Sequence, residues 1–161
     1  MPACPLVTVL LPVWNGASLP LTAGGEEPLR VAIRSLARQE PAPDAPVPSF
    51  EVLAVDDGST DGTAALLDVL AAEHPCLRVL HRPHEGLPGA LNAGLAAARG
   101  ALVARMDADD VCHPQRLALQ AAWMAAHPGT GLLATRVHFG GDRETARGFA
   151  HFADWQNGLL D

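Results

Sequence analysis

Three carboxylates close a short apolar run in Ala101-Leu-Val-Ala-Arg-Met-Asp107-Ala-Asp109-Asp110. Like charges this close repel one another and gain nothing from a core. The simplest physical reason to hold them together is a divalent cation, because hard cations take oxygen ligands and bridge to substrate phosphates. A solvated acidic turn that favours the start of the next helix is the competing reading. A second acidic pair, Asp56-Asp57, ends the run Phe50-Glu-Val-Leu-Ala-Val55 and leads into Gly58-Ser-Thr-Asp-Gly-Thr63. Capping of the following helix explains Ser59 or Asp61, but not two adjacent Asp at a strand end. A third polar turn, Pro12-Val13-Trp14-Asn15-Gly16, follows Val7-Thr-Val-Leu-Leu11.

Charge narrows what such sites could bind. The chain carries a formal net charge of -7 and contains no Lys, so every fixed positive side-chain charge is an Arg. That balance argues against nucleic acid or an anionic membrane as a broad-surface partner. A small anionic ligand would need a cation or a local Arg to offset repulsion. A phosphate cradle of the Walker type is excluded, since it needs a Lys. The same absence counts against a signalling receiver module, which is doubly wound with acidic strand ends but uses a Lys.

The elements that must position these turns alternate along the chain. Strands are expected at Val7–Leu11 (stopped by Pro12), Phe50–Val55, Leu77–Leu80, Ala101–Met106 and Gly131–Val137. Helices are expected at Pro28–Gln39, Thr63–Glu73, Gly89–Arg99, His113–His127 and Asp142–Leu160. Leu29, Ile33 and Leu36 mark the buried face of the first helix, whereas Arg30, Arg34 and Arg38 form a solvated stripe. The Pro-rich stretch from Glu40 to Pro48 reads as a stiff connector outside the core. His81 and His84 read as solvent-facing loop residues, and Trp123 and Trp155 as core. Trp14 offers a face on which a base could stack.

Strand–helix alternation of this kind predicts an α/β fold with a doubly wound, mostly parallel sheet. At 161 residues the chain reads as a single domain. Right-handed crossovers would bring Pro12–Asn15, Asp56-Asp57 and Asp107–Asp109 to one sheet edge, where a nucleotide would sit in the switch-point crevice. No apolar run approaches the ~20 residues that cross a bilayer. The odd set Cys4, Cys76 and Cys112 suggests neither disulfides nor a zinc site, and hence a reducing, cytoplasmic compartment. That compartment includes the inner face of the membrane.

Taken together, Val-Thr-Val-Leu-Leu-Pro-Val-Trp-Asn-Gly, Val-Asp-Asp-Gly-Ser-Thr-Asp-Gly-Thr, Leu-Asn-Ala-Gly-Leu and Met-Asp-Ala-Asp-Asp resemble the family 2 glycosyltransferases, in the family's order from Val7 to about Val137. The resemblance implies the Rossmann-like GT-A fold. It also implies an enzyme that transfers a sugar, with inversion, from a nucleotide-diphosphate donor to a sugar, lipid or protein acceptor. By the same resemblance Pro12, Val13, Asn15, Asp56, Asp57, Asn92 and Asp107 face the donor nucleotide, with Asp57 on the base. Asp107 and Asp109 are the expected ligands of Mn²⁺ or Mg²⁺, and Gly94 belongs to the Asn92 motif. Departures are Leu91 where the family usually has Arg, and longer segments after Ala17 and at the connector. No catalytic residue is assigned, because the family's general base and acceptor half are expected beyond Asp161. On this reading the chain is the N-terminal, donor-binding part of a fold whose C-terminal part is missing, and inactive alone. A nucleotide-binding remnant and a nucleotidyltransferase, which shares the metal–diphosphate logic, are the alternative functions.

Overall fold

The computed structural model describes residues 4–144 and 146–158. Four strands form one sheet: β1 (Val7–Val13), β2 (Phe50–Asp57), β3 (Leu77–Arg82) and β4 (Leu102–Arg105), in the order β3-β2-β1-β4. Every neighbouring pair is parallel, with Leu10 opposite both Leu53 and Arg105. The helices between them are α1 (Pro28–Ala37), α2 (Thr63–Glu73) and α3 (Gly86–Ala97), with α4 (Arg116–Ala126) after β4.

Strand periodicity divides the core into two layers. Val9, Leu11, Val52 and Ala54 point to one face, where Leu29, Ile33 and Leu36 of α1 and Leu67 and Leu70 of α2 cover them. Leu10, Leu53 and Val55 point to the other, against Ala90 of α3. The second layer is thin because α3 lies close to the sheet. A Cβ on Gly94 would come within 2.1 Å of Leu10 Cδ1 and 3.1 Å of Val55 Cγ2. Gly94 thus serves helix–sheet packing. Replacing it by Ala is expected to cost about 1–3 kcal/mol through overpacking, read as a lower urea midpoint at unchanged slope.

Pro12 does not stop β1. Met106 N–H and Leu102 N–H donate to the carbonyls of Leu10 and Leu6, so the even residues of β1 bond towards β4. Beyond Leu10 that side has no further β4 partner, since pairing ends at Arg105. The missing N–H of Pro12 therefore forfeits no ladder bond, and β1 continues beside β2 to Val13.

The connector also departs from expectation. Ala42 and Ala45 exchange backbone hydrogen bonds, are buried, and pack with Ala118 of α4. Small side chains rather than large ones let this turn reach the core.

The chain divides into two compact units, Met1–Ala126 and His127–Asp161. In the second, no strand forms over 131–137. The backbone N–H and C=O of Val137 are taken instead by the side-chain amide of Asn157, at 2.8 and 2.7 Å. That residue belongs to α5 (Arg147–Gly158), which begins later than the expected Asp142. Leu159 and Leu160 of the expected helix lie outside the described residues. Trp155 of α5 is exposed, as is Trp123 of α4, so neither is the core residue its type suggested. No helix among the described residues is long and apolar enough to cross a membrane.

Candidate functional site

The carboxyl ends of β1, β2 and β4 meet on the α3 side of the sheet. A cleft of about 290 Å³ lies there, lined by Pro12, Val13, Trp14, Gly16 and Leu19 from β1 and the turn after it, by Leu87 of α3, and by Arg105, Asp107, Ala108 and Asp109. A smaller one of about 150 Å³ shares Pro12, Val13, Trp14 and Leu87 and adds Asp57, His84 and Ala90. The structure thus brings together five of the residues named from sequence: Pro12, Val13, Asp57, Asp107 and Asp109.

Asp57 is buried, and its carboxylate closes the start of α3. Oδ1 accepts Glu85 N–H and Oδ2 accepts Gly86 N–H, both at 2.9 Å, where orphan amides and the helix dipole favour a negative charge. His84 Nδ1 stands 2.8 Å from Oδ2 and 2.9 Å from the Asp57 carbonyl. Its ring stacks on Trp14 with centroids 4.9 Å apart. The turn that makes this approach possible runs through Gly58, at φ +66°, where a Cβ would sit 2.6 Å from His84 N. His84 is therefore part of the cleft wall.

Asp56 points the other way, as strand alternation requires, and lines neither cleft. It is buried, accepts Ser59 N–H at 3.1 Å and stands 3.0 Å from His81 Nδ1. His81 Nε2 in turn stands 3.1 Å from Asp68 of α2. Burial alone would raise the Asp56 carboxyl, but bonds from Ser59 and His81 outweigh it and hold the group below its usual range. The His81 imidazole is raised, first by Asp56 and then by Asp68. His81 ties β3 to α2, a role for which its sequence context gave no sign.

Asn15 likewise supports the site from outside the clefts. It sits in the left-handed region at φ 52°, its N–H donates to Ser59 Oγ, and its Oδ1 accepts Thr60 N–H, both at 2.9 Å. Two further backbone amides of the same turn, Ala17 and Ser18, donate to Thr63 Oγ1 and Asp61 Oδ2. Asp61 also accepts Thr63 N–H at 2.9 Å, so it supports the start of α2 from one position before the Gly62 cap. Asn92 is exposed on α3 and lines neither cleft.

The acidic segment leaves the sheet at Met106, and Asp110 N–H bonds back to the Asp107 carbonyl at 3.2 Å. Asp107 Oδ1 accepts Arg105 Nη2 at 2.7 Å, and Asp109 is exposed. The Asp110 carboxyl is raised, chiefly by local loss of solvent and then by the charges of Asp109 and Asp107. Behind the loop stands a side chain that the sequence did not single out. Gln39 Oε1 accepts Leu117 N–H at 3.0 Å while its Nε2 donates to the His113 carbonyl at 3.1 Å. Ser35 Oγ accepts Cys112 N–H at 2.9 Å. These bonds fasten the far end of the acidic loop to α1.

Among the described residues, no three His, Cys, Asp or Glu side chains converge closely enough to hold a metal. Two carboxylates on one short loop, Asp109 exposed and Asp107 half-exposed, nevertheless fit Mg²⁺ or Mn²⁺. Such ions are commonly bound through one or two carboxylates, with substrate phosphate and water completing the shell.

Comparison with known proteins bears on the family and the fold. The family model described as glycosyl transferase family 2 matches residues 8–158. The chain is 40% identical over 116 residues to the undecaprenyl-phosphate mannosyltransferase of Micrococcus luteus, covering 69% of this chain and 41% of that protein. It is 28% identical over 115 residues to the chondroitin synthase of Pasteurella multocida, covering 71% of this chain but 10% of that one. Among solved structures, the mannosyltransferase PcManGT of Pyrobaculum calidifontis in complex with GDP-Man and Mn²⁺ superposes with TM-score 0.61 at 29% identity, over 77% of this chain and 33% of that one. S. aureus TarS 1-349 in complex with UDP gives TM-score 0.60 at 24% identity, over 81% and 38%, and shares the fold. The chain spans between about a tenth and two-fifths of the length of these curated relatives. The doubly wound parallel sheet is part of a GT-A fold.

Proposed function

Because the chain belongs to glycosyl transferase family 2, we propose that the cleft at its carboxyl edge binds a nucleotide-diphosphate sugar together with Mn²⁺ or Mg²⁺, for inverting transfer to a sugar, lipid or protein acceptor. The observation that carries this reading is the convergence of three separate strand ends on two clefts that share Pro12 and Val13, the larger lined also by Asp107 and Asp109 and the smaller by Asp57. The printed ligands of PcManGT, GDP-Man and Mn²⁺, support it by likeness. Family membership sets aside the nucleotidyltransferase and receiver readings. The three cysteines are free thiols, which suits a cytoplasmic location, including the inner face of the membrane.

Each residue then has a physical task. Pro12 and Val13 form an apolar wall with Trp14, against which a base can lie. Asp57 shapes the floor: it fixes the start of α3 and the His84 ring, and its carboxylate borders the smaller cleft. Asp107 and Asp109 would hold the cation, which when bound supplies a Lewis acid that neutralises the departing diphosphate. Asn15 and Asp56 hold the turns in place from behind.

The test is calorimetric titration of the 161-residue chain with UDP and GDP, once with Mn²⁺ and once with chelator. Binding is expected with the metal only, since the anionic ligand otherwise meets clustered carboxylates. Equal affinity in both conditions would remove the metal role of Asp107 and Asp109.

A further inference from the structure

We infer that Arg105 is the diphosphate-binding cation of this site, and that it reaches the ligand by exchanging partners with the metal at Asp107; the inference rests on the donor reading above. Among the described residues that line the larger cleft, Arg105 is the only cation. Two lining carboxylates and a dianionic diphosphate leave the cleft negative even with one divalent ion present. A guanidinium is the remaining positive charge within reach, and its planar fork matches phosphate oxygens.

The placement follows from strand geometry. Arg105 ends β4 and Asp107 lies two positions on, so both side chains fall on the same side. Their ion pair, Nη2 to Oδ1 at 2.7 Å, joins two half-exposed groups, with side-chain exposures of 53% and 48%. Pairs this exposed are weak in water and exchange readily. An oxygen that coordinates a divalent cation no longer needs the guanidinium, which is then free for the phosphate. The strand end itself stays put, because the Arg105 carbonyl accepts Arg116 Nη2 at 2.9 Å.

The experiment compares wild type, Arg105→Gln and Arg105→Lys by calorimetry at fixed Mn²⁺, using UDP and GDP beside UMP and GMP. Mn²⁺ binding without nucleotide is followed by electron paramagnetic resonance of the free ion. Arg105→Gln is expected to weaken diphosphate binding by about 10- to 100-fold, the range for a charge-assisted hydrogen bond, and monophosphate binding by much less. Arg105→Lys keeps the charge but not the fork and should fall between. Binding of Mn²⁺ alone should be unchanged or tighter in Arg105→Gln, because Asp107 loses its competitor. Diphosphate affinity within about twofold of wild type, or an equal loss on mono- and diphosphates, overturns the assignment. Weaker Mn²⁺ binding in Arg105→Gln overturns the exchange. A wild-type chain that binds neither diphosphate removes the donor reading, and this proposal with it.

Discussion

Exchange of Asp109 for Asn is expected to abolish the thermal stabilisation that metal and nucleotide together confer, while leaving the unliganded melting temperature unchanged or slightly higher. With ligand a hundredfold above its dissociation constant, mass action gives ~2.7 kcal/mol, or about 5–10 °C for a chain of this size. The variant should show none of it. The side chain is exposed and belongs to a self-repelling group, and its charge helps to raise the neighbouring Asp110 carboxyl. Removing that charge relieves repulsion and opens no cavity, as is common at functional positions. Thermal melts with and without Mn²⁺ and UDP or GDP decide the matter. A large drop in the unliganded melting temperature would reveal a structural role in place of the proposed one.

The second large effect lies at the opposite edge of the sheet, far from any chemistry. Glu51, nearly buried at 8% exposure, accepts Arg78 Nε and Nη2 at 3.1 and 3.2 Å, Thr8 Oγ1 at 2.9 Å and Arg99 N–H at 3.1 Å. Burial pushes the carboxyl up, but the bonds from Arg78, Thr8 and Arg99 outweigh it and lower the group. Arg78→Leu would leave this carboxylate desolvated without its guanidinium. The expected loss is about 2–3 kcal/mol at pH 7, below the full value for a buried pair because Arg78 is partly exposed. A carboxyl lowered on folding stabilises the protein above its unfolded value of about 4.3, and that contribution fades as pH falls through the folded value. The gap between wild type and Arg78→Leu should therefore narrow in acid. Urea unfolding at pH 7 and near pH 4 measures it; a gap that stays the same at both would assign the loss to packing alone.

Much of the sheet was readable because burial on two faces demands unbroken apolar runs. Val52 to Val55 is such a run, and all four residues are fully buried. β4 is recognisable more from the acidic residues after it than from its own four residues, two of which are exposed. The segment 131–137 is equally apolar, yet its last backbone groups are taken by Asn157, a long-range choice that local composition does not encode. At the site, the acidic residues stand out because their charge is unusual at a strand end. Which of Asp56 and Asp57 reaches the cleft depends on strand parity relative to α3, and that is known once β2 is seen to run to Asp57. Arg105 could have been found by the same parity, two residues before Asp107. Gln39 could not, since the partners it holds around the acidic loop lie more than 70 positions away.

The stitching between the first two turns carries a consequence for how this protein can vary. Across that seam, Ala17 and Ser18 contribute only backbone amides, whereas Asp61 and Thr63 contribute side-chain oxygens. A main-chain donor is the same whatever residue supplies it, Pro excepted. Mutational tolerance should therefore be lopsided: wide at Ala17 and Ser18, narrow at Ser59, Asp61 and Thr63. Asn15 stands apart on the permissive side, because its own side chain accepts Thr60 N–H and its backbone is left-handed. Ala17 and Ser18 are uninformative to read for the same reason that they are free to drift, while their partner loop spells out its role residue by residue.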